Sequence, residues 1–290
     1  MNLRIIILSM VAMTLISAED LITEHHNIPY QGEEELDVNI GFGLGQFDLK
    51  GCDAAEYLVR SAMSYSKIYY KPTVEYKILG NRGRLKMYTE KIDKHGVMND
   101  KKHGFYHNEK EQNRWLLEFS RKVPTYYSID LGLGEGRLDF TGLRVRDLKL
   151  QCGLSDVKVE FNSPNKENMR NLIVGTGLGS VKVNGLGYAN MEHFDVDCGL
   201  GSTDLVFDGN QQQDIRGKIS VGLGSVNIEI PDNIAVEVRS ESSFLSSLNL
   251  HGFDRVGENL YRSGNWKAAK KRIYMEVEVG LGSVDINWRD

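Results

Sequence analysis

The 290-residue chain has few prolines and few cysteines. It contains only five prolines and three cysteines, against 30 glycines. Three cysteines cannot build the dense disulfide framework of a small secreted domain. Glycine without proline indicates many tight turns rather than a disordered linker. With 41% hydrophobic residues, the chain can bury a substantial core.

Long apolar runs are also scarce, and the one that stands out lies at the N-terminus. Arg4 precedes apolar residues from Ile5 to about Ala18. This run is too short for a good membrane span and is typical of a signal peptide. We therefore predict a signal peptide over residues 1–18 and a mature chain that begins near Glu19. That chain would be extracytoplasmic, periplasmic or secreted, with no transmembrane span; an uncleaved anchor is the alternative.

Positive charge is not concentrated anywhere in a dense stripe. The formal net charge is −5 at pH 7. A mildly acidic surface disfavours nucleic acid and anionic membranes as partners. The composition therefore excludes a typical nucleic-acid-binding protein.

A motif centred on Gly-Leu-Gly recurs along the chain. It reads GFGLGQFDL in its first copy and VEVGLGSVDINW in its last. From Leu133 the central leucines follow at steps of 21, 24, 22 and 23 residues. A further copy without glycines surrounds Leu245. The predicted structural corner residues are Gly43, Leu44, Gly132, Leu133, Gly153, Leu154, Gly177, Leu178, Gly199, Leu200, Gly222, Leu223, Gly280 and Leu281.

Apolar and polar residues alternate on both sides of each corner. Val181 and Val183, for example, flank Lys182. Period two is typical of a strand with one dry face and one wet face. Each unit is therefore predicted to be a strand, a tight corner, a second strand and a longer polar turn. The predicted outward ladder after the corner contains Arg137, Lys158, Lys182, Asp204, Asn227 and Asp285.

Two folds can use this pattern. In an antiparallel meander the leucine would lie at a hairpin tip in water, whereas in a β-solenoid it would point inward at a corner. Because a fully buried leucine contributes about 1.5–3 kcal/mol, seven leucines at one position favour the inward arrangement. We therefore predict an all-β β-solenoid of stacked strand-turn-strand repeats of about 22 residues, with parallel strands about 4.8 Å apart and an N-terminal β cap region.

The cysteines provide a check on this stack. Cys152 and Cys198 hold the same place in units two steps apart, which corresponds to about 10 Å. A disulfide needs Cα atoms within about 7 Å. We predict that both are free, buried thiols and that Thr176 occupies the place between them.

The region before the regular repeats is predicted to be β-structure as well. A hairpin is expected to turn at residues 81–83, with strands over 57–70 and 114–119. The sequence divides into a signal peptide (1–18), an N-terminal β region packed on the stack (19–125) and the Gly-Leu-Gly repeats (126–290).

No residue set identifies a reaction. Gly175 to Ser180 resembles a phosphate loop, but a strand rather than a helix follows it. The serines that follow the corners, Ser180, Ser202, Ser225 and Ser283, are expected to cap the corner backbone through their hydroxyl groups. His95, His103 and His107 lie in a charged loop, and His25 and His26 are expected in a frayed terminus. We predict no catalytic residue, no cofactor and no metal site.

The repeats and the N-terminal block together resemble the toast-rack family of bacterial proteins. The resemblance is carried by GFGLGQFDLKG, by YSIDLGLGEGRLDFTGLRVRDLKL and by the run from Gly252 to Trp288. It extends to the C-terminal domain of cell-wall-active antibiotic response proteins and to adhesin-like β-solenoid domains. The family implies an extracytoplasmic β-solenoid without an established enzyme activity.

The functional hypothesis is an exported, non-enzymatic binding or scaffold module, adhesin-like, at the bacterial cell envelope. Its partner would be a protein or a glycan of that envelope. Two alternatives stay open. One is a regulator of envelope-stress signalling that acts through a membrane partner, and the other is a glycan-acting enzyme that uses the Lys158–Lys182 face.

Overall fold

A computed structural model describes residues 21–67, 69–91, 113–242 and 247–289. All regular secondary structure in these ranges is β-strand. The predicted signal peptide, the three histidines of the charged loop and Leu245 lie outside the described residues.

The described residues form twenty strands, numbered in chain order. The first six are β1 (Leu21–Pro29), β2 (Glu35–Cys52), β3 (Tyr57–Ser66), β4 (Tyr70–Leu79), β5 (Arg82–Lys91) and β6 (Asn113–Ser120). The next eight are β7 (Thr125–Asp139), β8 (Val145–Glu160), β9 (Met169–Thr176), β10 (Ser180–Asn184), β11 (Met191–Cys198), β12 (Ser202–Val206), β13 (Ile215–Val221) and β14 (Ser225–Pro231). The last six are β15 (Ile234–Ser242), β16 (Ser247–Leu250), β17 (Phe253–Gly257), β18 (Leu260–Ser263), β19 (Lys271–Val279) and β20 (Ser283–Arg289).

These strands form two walls that meet at the Gly-Leu-Gly corners. The wall before the corner, wall A, has the spatial order β4, β5, β2, β7, β8, β9, β11, β13, β19, β15, β18 and β17. The wall after the corner, wall B, has the order β1, β3, β6, β2, β7, β8, β10, β12, β14, β20 and β16. The long strands β2, β7 and β8 pass through the corner and belong to both walls. The chain is thus an all-β solenoid of stacked strand-corner-strand units, as predicted.

Equivalent residues of neighbouring coils are parallel partners. Val157, Val181, Thr203, Val226 and Val284 occupy one register position in wall B. All five are buried. Because β-branched side chains suit a pleated, half-buried surface, each coil supplies one member of an apolar column, and the columns of the two walls merge into a single core.

The cysteine prediction is confirmed. Cys152 and Cys198 are both partners of Thr176, on either side of it. Both thiols are free and buried. The Thr176 hydroxyl lies 2.8 Å from the Thr203 hydroxyl across the corner, which satisfies two polar groups inside the core.

The prediction that the corner leucines point inward is wrong. Six of them project into solvent, with exposed fractions of 41% for Leu133, 57% for Leu154, 55% for Leu178, 55% for Leu200, 56% for Leu223 and 56% for Leu281. Leu44 alone among the seven is partly buried against the core.

The inside of the corner has no room for a leucine. A Cβ built on Gly201 would lie 3.0 Å from the Thr176 methyl group, and one on Gly224 would lie 2.8 Å from the Cys198 sulfur. The residue before each corner therefore packs beneath the glycine of the next coil. This packing fills the dry side of the bend and leaves the leucine on the wet side.

The coils do not stack entirely in chain order. The C-terminal pair β19–β20 lies beside β13–β14, and β15–β16 packs on the far side of β19–β20. The last coil is therefore inserted between two coils that precede it in sequence. Stacking in chain order therefore holds from β7 to β14 and fails at this end of the molecule.

The N-terminal region extends the stack rather than forming a separate layer. The coil of β2 pairs with β7 on both sides of the corner, although its motif falls in the range 19–125. Beyond β2, antiparallel strands close both walls. The β4–β5 hairpin forms as predicted but turns at residues 80–81, where Gly80 has a φ of 67°. The division at residues 125 and 126 remains a prediction.

The two N-terminal histidines are not in a frayed end. His25 and His26 lie in β1, which pairs along its length with β3. The Tyr65 hydroxyl donates a 2.6 Å hydrogen bond to Glu24 of the same strand. Cross-strand pairing thus orders the segment directly after residue 20.

Candidate binding surfaces

The most conspicuous surface is the line of corner leucines. We call the six exposed leucines (133, 154, 178, 200, 223 and 281) the leucine ridge. Leu133 and Leu154 are parallel partners within β7 and β8. In the later coils the Leu178 amide donates to the Gly153 carbonyl, Leu200 to Gly177, Leu223 to Gly199 and Leu281 to Gly222, each at 2.8 Å. The leucines therefore recur at the strand spacing of about 4.8 Å.

Glycine is required on both sides of the ridge because neighbouring coils approach closely. A Cβ on Gly179 would lie 2.1 Å from the Ser155 carbonyl oxygen, and one on Gly282 would lie 2.2 Å from that of Gly224. Before the leucine, a Cβ on Gly132 would lie 2.3 Å from the Gly43 carbonyl oxygen. Among the corner glycines, only Gly45 and Gly134 have a positive φ, both 128°. Close backbone approach is thus the general reason for the repeated glycine pair.

The corner residues occupy two kinds of backbone. Those of the first three copies lie inside the continuous strands β2, β7 and β8. Those of the last four lie in bends at residues 177–179, 199–201, 222–224 and 280–282. In both cases the leucine occupies the middle of the turn between wall A and wall B.

The ridge is flanked by acidic residues near one end and by serines near the other. Asp130, Glu135 and Asp156 are exposed beside Leu133 and Leu154. The corner serines Ser202, Ser225 and Ser283 follow the later leucines. On the wall A side, Asp197 and Glu278 follow Asp130 in the same register. The acidic charge therefore decreases along the ridge on the wall B side only.

The serines do not cap the corners as predicted. Ser180 donates its hydroxyl to the Asp156 carboxylate at 2.7 Å. It is the backbone amides of Ser202, Ser225 and Ser283 that bond the preceding coil, each at 3.1 Å. Since these backbone hydrogen bonds already join each corner to the preceding coil, the serine hydroxyl groups are not needed for that contact and can face solvent.

A groove lies beside the ridge on wall A. It has a volume of about 720 Å³ and a floor of glycine backbone that includes Gly41 and Gly175. Tyr88, Gln151 and Asp197 stand along it. The Gln151 side chain lies across Gly175. A Cβ built on Gly175 would be 2.2 Å from the Gln151 Oε1 atom.

A second groove crosses the outer face of wall A farther along the stack. It has a volume of about 540 Å³ and is lined mainly by polar and charged side chains. The Arg216 guanidinium lies 5.8 Å from the centre of the Tyr274 ring, and Lys218 pairs with Glu278 at 2.9 Å. His193, in β11, also lines this groove. Charges of both signs alternate here, so the groove has no single electrostatic preference.

The predicted outward ladder lies on the outer face of wall B. Arg137, Lys158, Lys182, Asp204 and Asn227 are successive parallel partners, and Asp285 follows them. The Lys158 ammonium is held 2.7 Å from Glu160 of its own strand. An intrastrand pair of this kind reduces the positive charge available to an acidic ligand.

The buried thiols are poorly suited to nucleophilic chemistry. Burial raises the pKa of Cys152 to about 12, and burial also raises the pKa of Cys198. Because the thiolate is the reactive form, both groups behave as small apolar side chains near neutral pH. The described residues contain no cluster of three or more histidine, cysteine or acidic side chains placed to hold a metal ion.

One buried carboxylate has a structural explanation. Glu167 is 6% exposed and accepts contacts from Arg144 and, at 2.7 Å, from Arg146. Its two arginine partners compensate the charge, and they tie the turn after β8 to the start of that strand. Sequence pattern alone did not single out this group, because the polar turn gave no sign of burial.

Comparison with known proteins identifies the family. Residues 17–184 match the N-terminal domain of toast_rack. Among curated proteins, no sequence matches this chain. Within the described residues there is no helix long and apolar enough to cross a membrane.

Two solved structures are similar to this chain over most of its length. A "putative cell adhesion protein" from Clostridium sporogenes is 22% identical, with a TM-score of 0.46, over 92% of this chain and 99% of that one. A "putative adhesin" from Parabacteroides merdae is 11% identical, with a TM-score of 0.29, over 91% of this chain and 96% of that one.

Proposed function

This chain belongs to the toast-rack family, and we propose that it acts outside the cytoplasm as a non-enzymatic, adhesin-like binding or scaffold module of the bacterial cell envelope. The observation that carries the proposal is the leucine ridge. Six leucine side chains in one line are more than 40% exposed. Polar residues would be expected at such positions if the surface had only to be soluble.

A contiguous apolar patch of this kind has a physical cost. Exposed apolar surface of a few hundred Å² on a soluble protein commonly marks an interaction site. The ridge residues do not stabilise the core, since their side chains project away from it. Their recurrence in every regular coil is therefore best explained by contact with a partner.

Extracytoplasmic action is supported by the sequence of the first 18 residues, with one cation followed by an apolar run. The free cysteines are compatible with an oxidising compartment, because Cys152 and Cys198 are buried and separated by Thr176. Cleavage near Glu19 is part of the proposal, and N-terminal sequencing of the exported protein tests it.

Binding to an envelope fraction tests the proposal directly. Beads that carry the protein should retain envelope material, and the triple variant Leu154→Ser, Leu178→Ser, Leu200→Ser should retain much less. The matched control changes Lys158, Lys182 and Asp204 to serine in the same three coils, on the outer face of wall B. Equal retention by both triple variants would refute a role for the ridge.

The non-enzymatic part of the proposal has its own test. The protein should show no turnover of bacterial polysaccharides. Reproducible hydrolysis that disappears when Lys158 and Lys182 are replaced would establish the glycan-acting alternative instead.

A further inference from the structure

We propose that the leucine ridge joins two copies of this chain in an antiparallel pair, with the ridge of one copy against the ridge of the other. The inference rests on the proposed function, because it names the partner of the same surface. It is argued from the spacing of the leucines, the charges beside them and the size of the patch.

The first argument is spacing. Ridge leucines recur about every 4.8 Å, which is the distance between strands. Along an α-helix, alternating i+3 and i+4 positions average about 5.3 Å, so a helix would drift by about 2.5 Å over five intervals. Along an extended strand, same-face residues are about 6.7 Å apart, and the mismatch would reach about 9.5 Å. Another parallel β-stack keeps register with all six leucines, and a second copy supplies one.

The second argument is charge, and it sets the direction. Asp130, Glu135 and Asp156 flank the end of the ridge that carries Leu133 and Leu154. In a parallel pair these three carboxylates would face the same three of the second copy, and like charges at an interface are unfavourable. An antiparallel pair separates the two acidic clusters by most of the ridge length.

The opposite end of the ridge can accept the acidic cluster. Ser225 and Ser283 flank it on the side of wall B, and hydroxyl groups can donate to carboxylates. On the side of wall A, Glu278 is already held by Lys218 at 2.9 Å. The antiparallel pair therefore brings acids opposite hydroxyl groups and a neutralised ion pair.

The third argument is area. Six half-exposed leucines offer on the order of 500 Å², and a standard stable interface buries about 800 Å² on each partner. The glycine and serine backbone next to the ridge adds the remainder only in part. The pair is therefore expected to be reversible, with dissociation in the micromolar range.

The geometry predicts which leucine of one copy faces which leucine of the other. Full overlap of the six leucines places the two-fold axis between Leu178 and Leu200. Leu133 of one copy then faces Leu281 of the other. The two Leu133 positions would be about 24 Å apart, five strand spacings, far beyond the reach of a disulfide.

Site-directed cross-linking tests this arrangement in the purified protein, with Cys52→Ser as the background. A mixture of the Leu133→Cys and Leu281→Cys variants should form a disulfide-linked dimer under mild oxidation, whereas each variant alone should stay mostly monomeric. Lys182→Cys, on the outer face of wall B, is the control that should not cross-link. Efficient cross-linking of Leu133→Cys to itself would overturn the antiparallel pair.

Sedimentation equilibrium supplies a second measurement that does not depend on added cysteines. The unmodified protein should self-associate, and Leu154→Ser, Leu178→Ser, Leu200→Ser together should weaken association at least tenfold. A protein that stays monomeric at about 100 μM would refute the inference. If that monomer still binds envelope material through the ridge, the proposed function stands; if the dimer forms but envelope binding is absent, only the proposed function fails.

Discussion

The Cβ that Gly224 lacks would lie 2.3 Å from the carbonyl oxygen of Gly201 in the preceding coil. This distance is far shorter than a carbon–oxygen contact allows, and the obstacle is backbone rather than a flexible side chain. Because glycine has no Cβ, Gly224 permits the two coils to approach this closely at the corner.

Gly224→Ala should destabilise the protein by about 2–3 kcal/mol, because the coils must separate or strain to admit the added methyl group. Gly43→Ala is the matched control, since a Cβ there would meet nothing within 4 Å. It should stay within about 0.5 kcal/mol of the unmodified protein. Urea unfolding measures both, and equal losses for the two variants would contradict the role of close approach.

Leu200→Ala and Leu205→Ala separate the ridge from the core. Leu200 is 55% exposed and Leu205 is 1% exposed. We expect a change below about 0.5 kcal/mol for Leu200→Ala and a loss of about 2–5 kcal/mol for Leu205→Ala. A large loss of unfolding free energy for Leu200→Ala would indicate that the Leu200 side chain is buried and would contradict its exposed position.

Alkaline pH should weaken the protein in part through Cys152. Its pKa is near 9.0 when unfolded and about 12 in the fold, because burial disfavours the thiolate. Above pH 9 the unfolded chain loses this proton while the folded chain keeps it. The stability contributed by the neutral thiol is therefore complete below pH 9 and is lost towards pH 12, with a slope approaching about 1.4 kcal/mol per pH unit.

The comparison that isolates this thiol is Cys152→Ala against Thr176→Val. Both change the same buried column, but only the first removes a titratable group. Between pH 8 and pH 11 the unfolding free energy of Cys152→Ala should fall less steeply than that of Thr176→Val. Parallel curves for the two variants would show that Cys152 does not contribute to the pH dependence.

Glu167→Gln should destabilise the fold by about 3 kcal/mol, because it leaves the Arg144 and Arg146 guanidinium groups without their shared carboxylate. The partial exposure of both arginines keeps the loss at the lower end for a buried ion pair. Glu135→Gln, at an exposed position, should change stability by less than about 0.5 kcal/mol. Thermal unfolding at neutral pH distinguishes the two, and a neutral Glu167→Gln would show that the carboxylate is dispensable.

The parallel stacking could be predicted from sequence because its cause is local and repeated. Each coil shows apolar residues at alternate positions, as at Val181 and Val183, and every copy of the motif except the one at Leu245 places glycine before the leucine. Repetition at about 22 residues then leaves few ways to pair the strands. The free cysteines followed from the same spacing, since Thr176 must lie between them.

The orientation of the leucine could not be predicted in this way. Alternation specifies the face of a residue only within a strand, and the bend at residues 199–201 interrupts it. What decides the outcome is the Thr176 methyl group beneath Gly201, a residue 25 positions earlier in sequence. Burial energy favours an inward leucine only where a space exists, and the preceding coil has filled it.

The position of β19–β20 likewise depends on contacts that no local pattern encodes. Its residues match β13–β14 and β15–β16 equally well in alternation, so sequence spacing suggests succession. The sequence pattern predicts the corner leucines as structural residues with inward side chains and does not identify them as a surface. The same leucines expected to hold the interior together are the ones available to a partner.

Insertion of β20 between β14 and β16 also constrains the time at which the protein can be completed. During synthesis or secretion from the N-terminus, earlier coils can assemble as they emerge. Before residues 271–289 arrive, β15 can pair only with β18, because its other partner, β19, is not yet made. The coil of β19–β20 must therefore join β13–β14 before β15–β16 can take its place beyond it. An intermediate in which β15–β16 paired directly with β13–β14 would leave β19–β20 without its place in the stack.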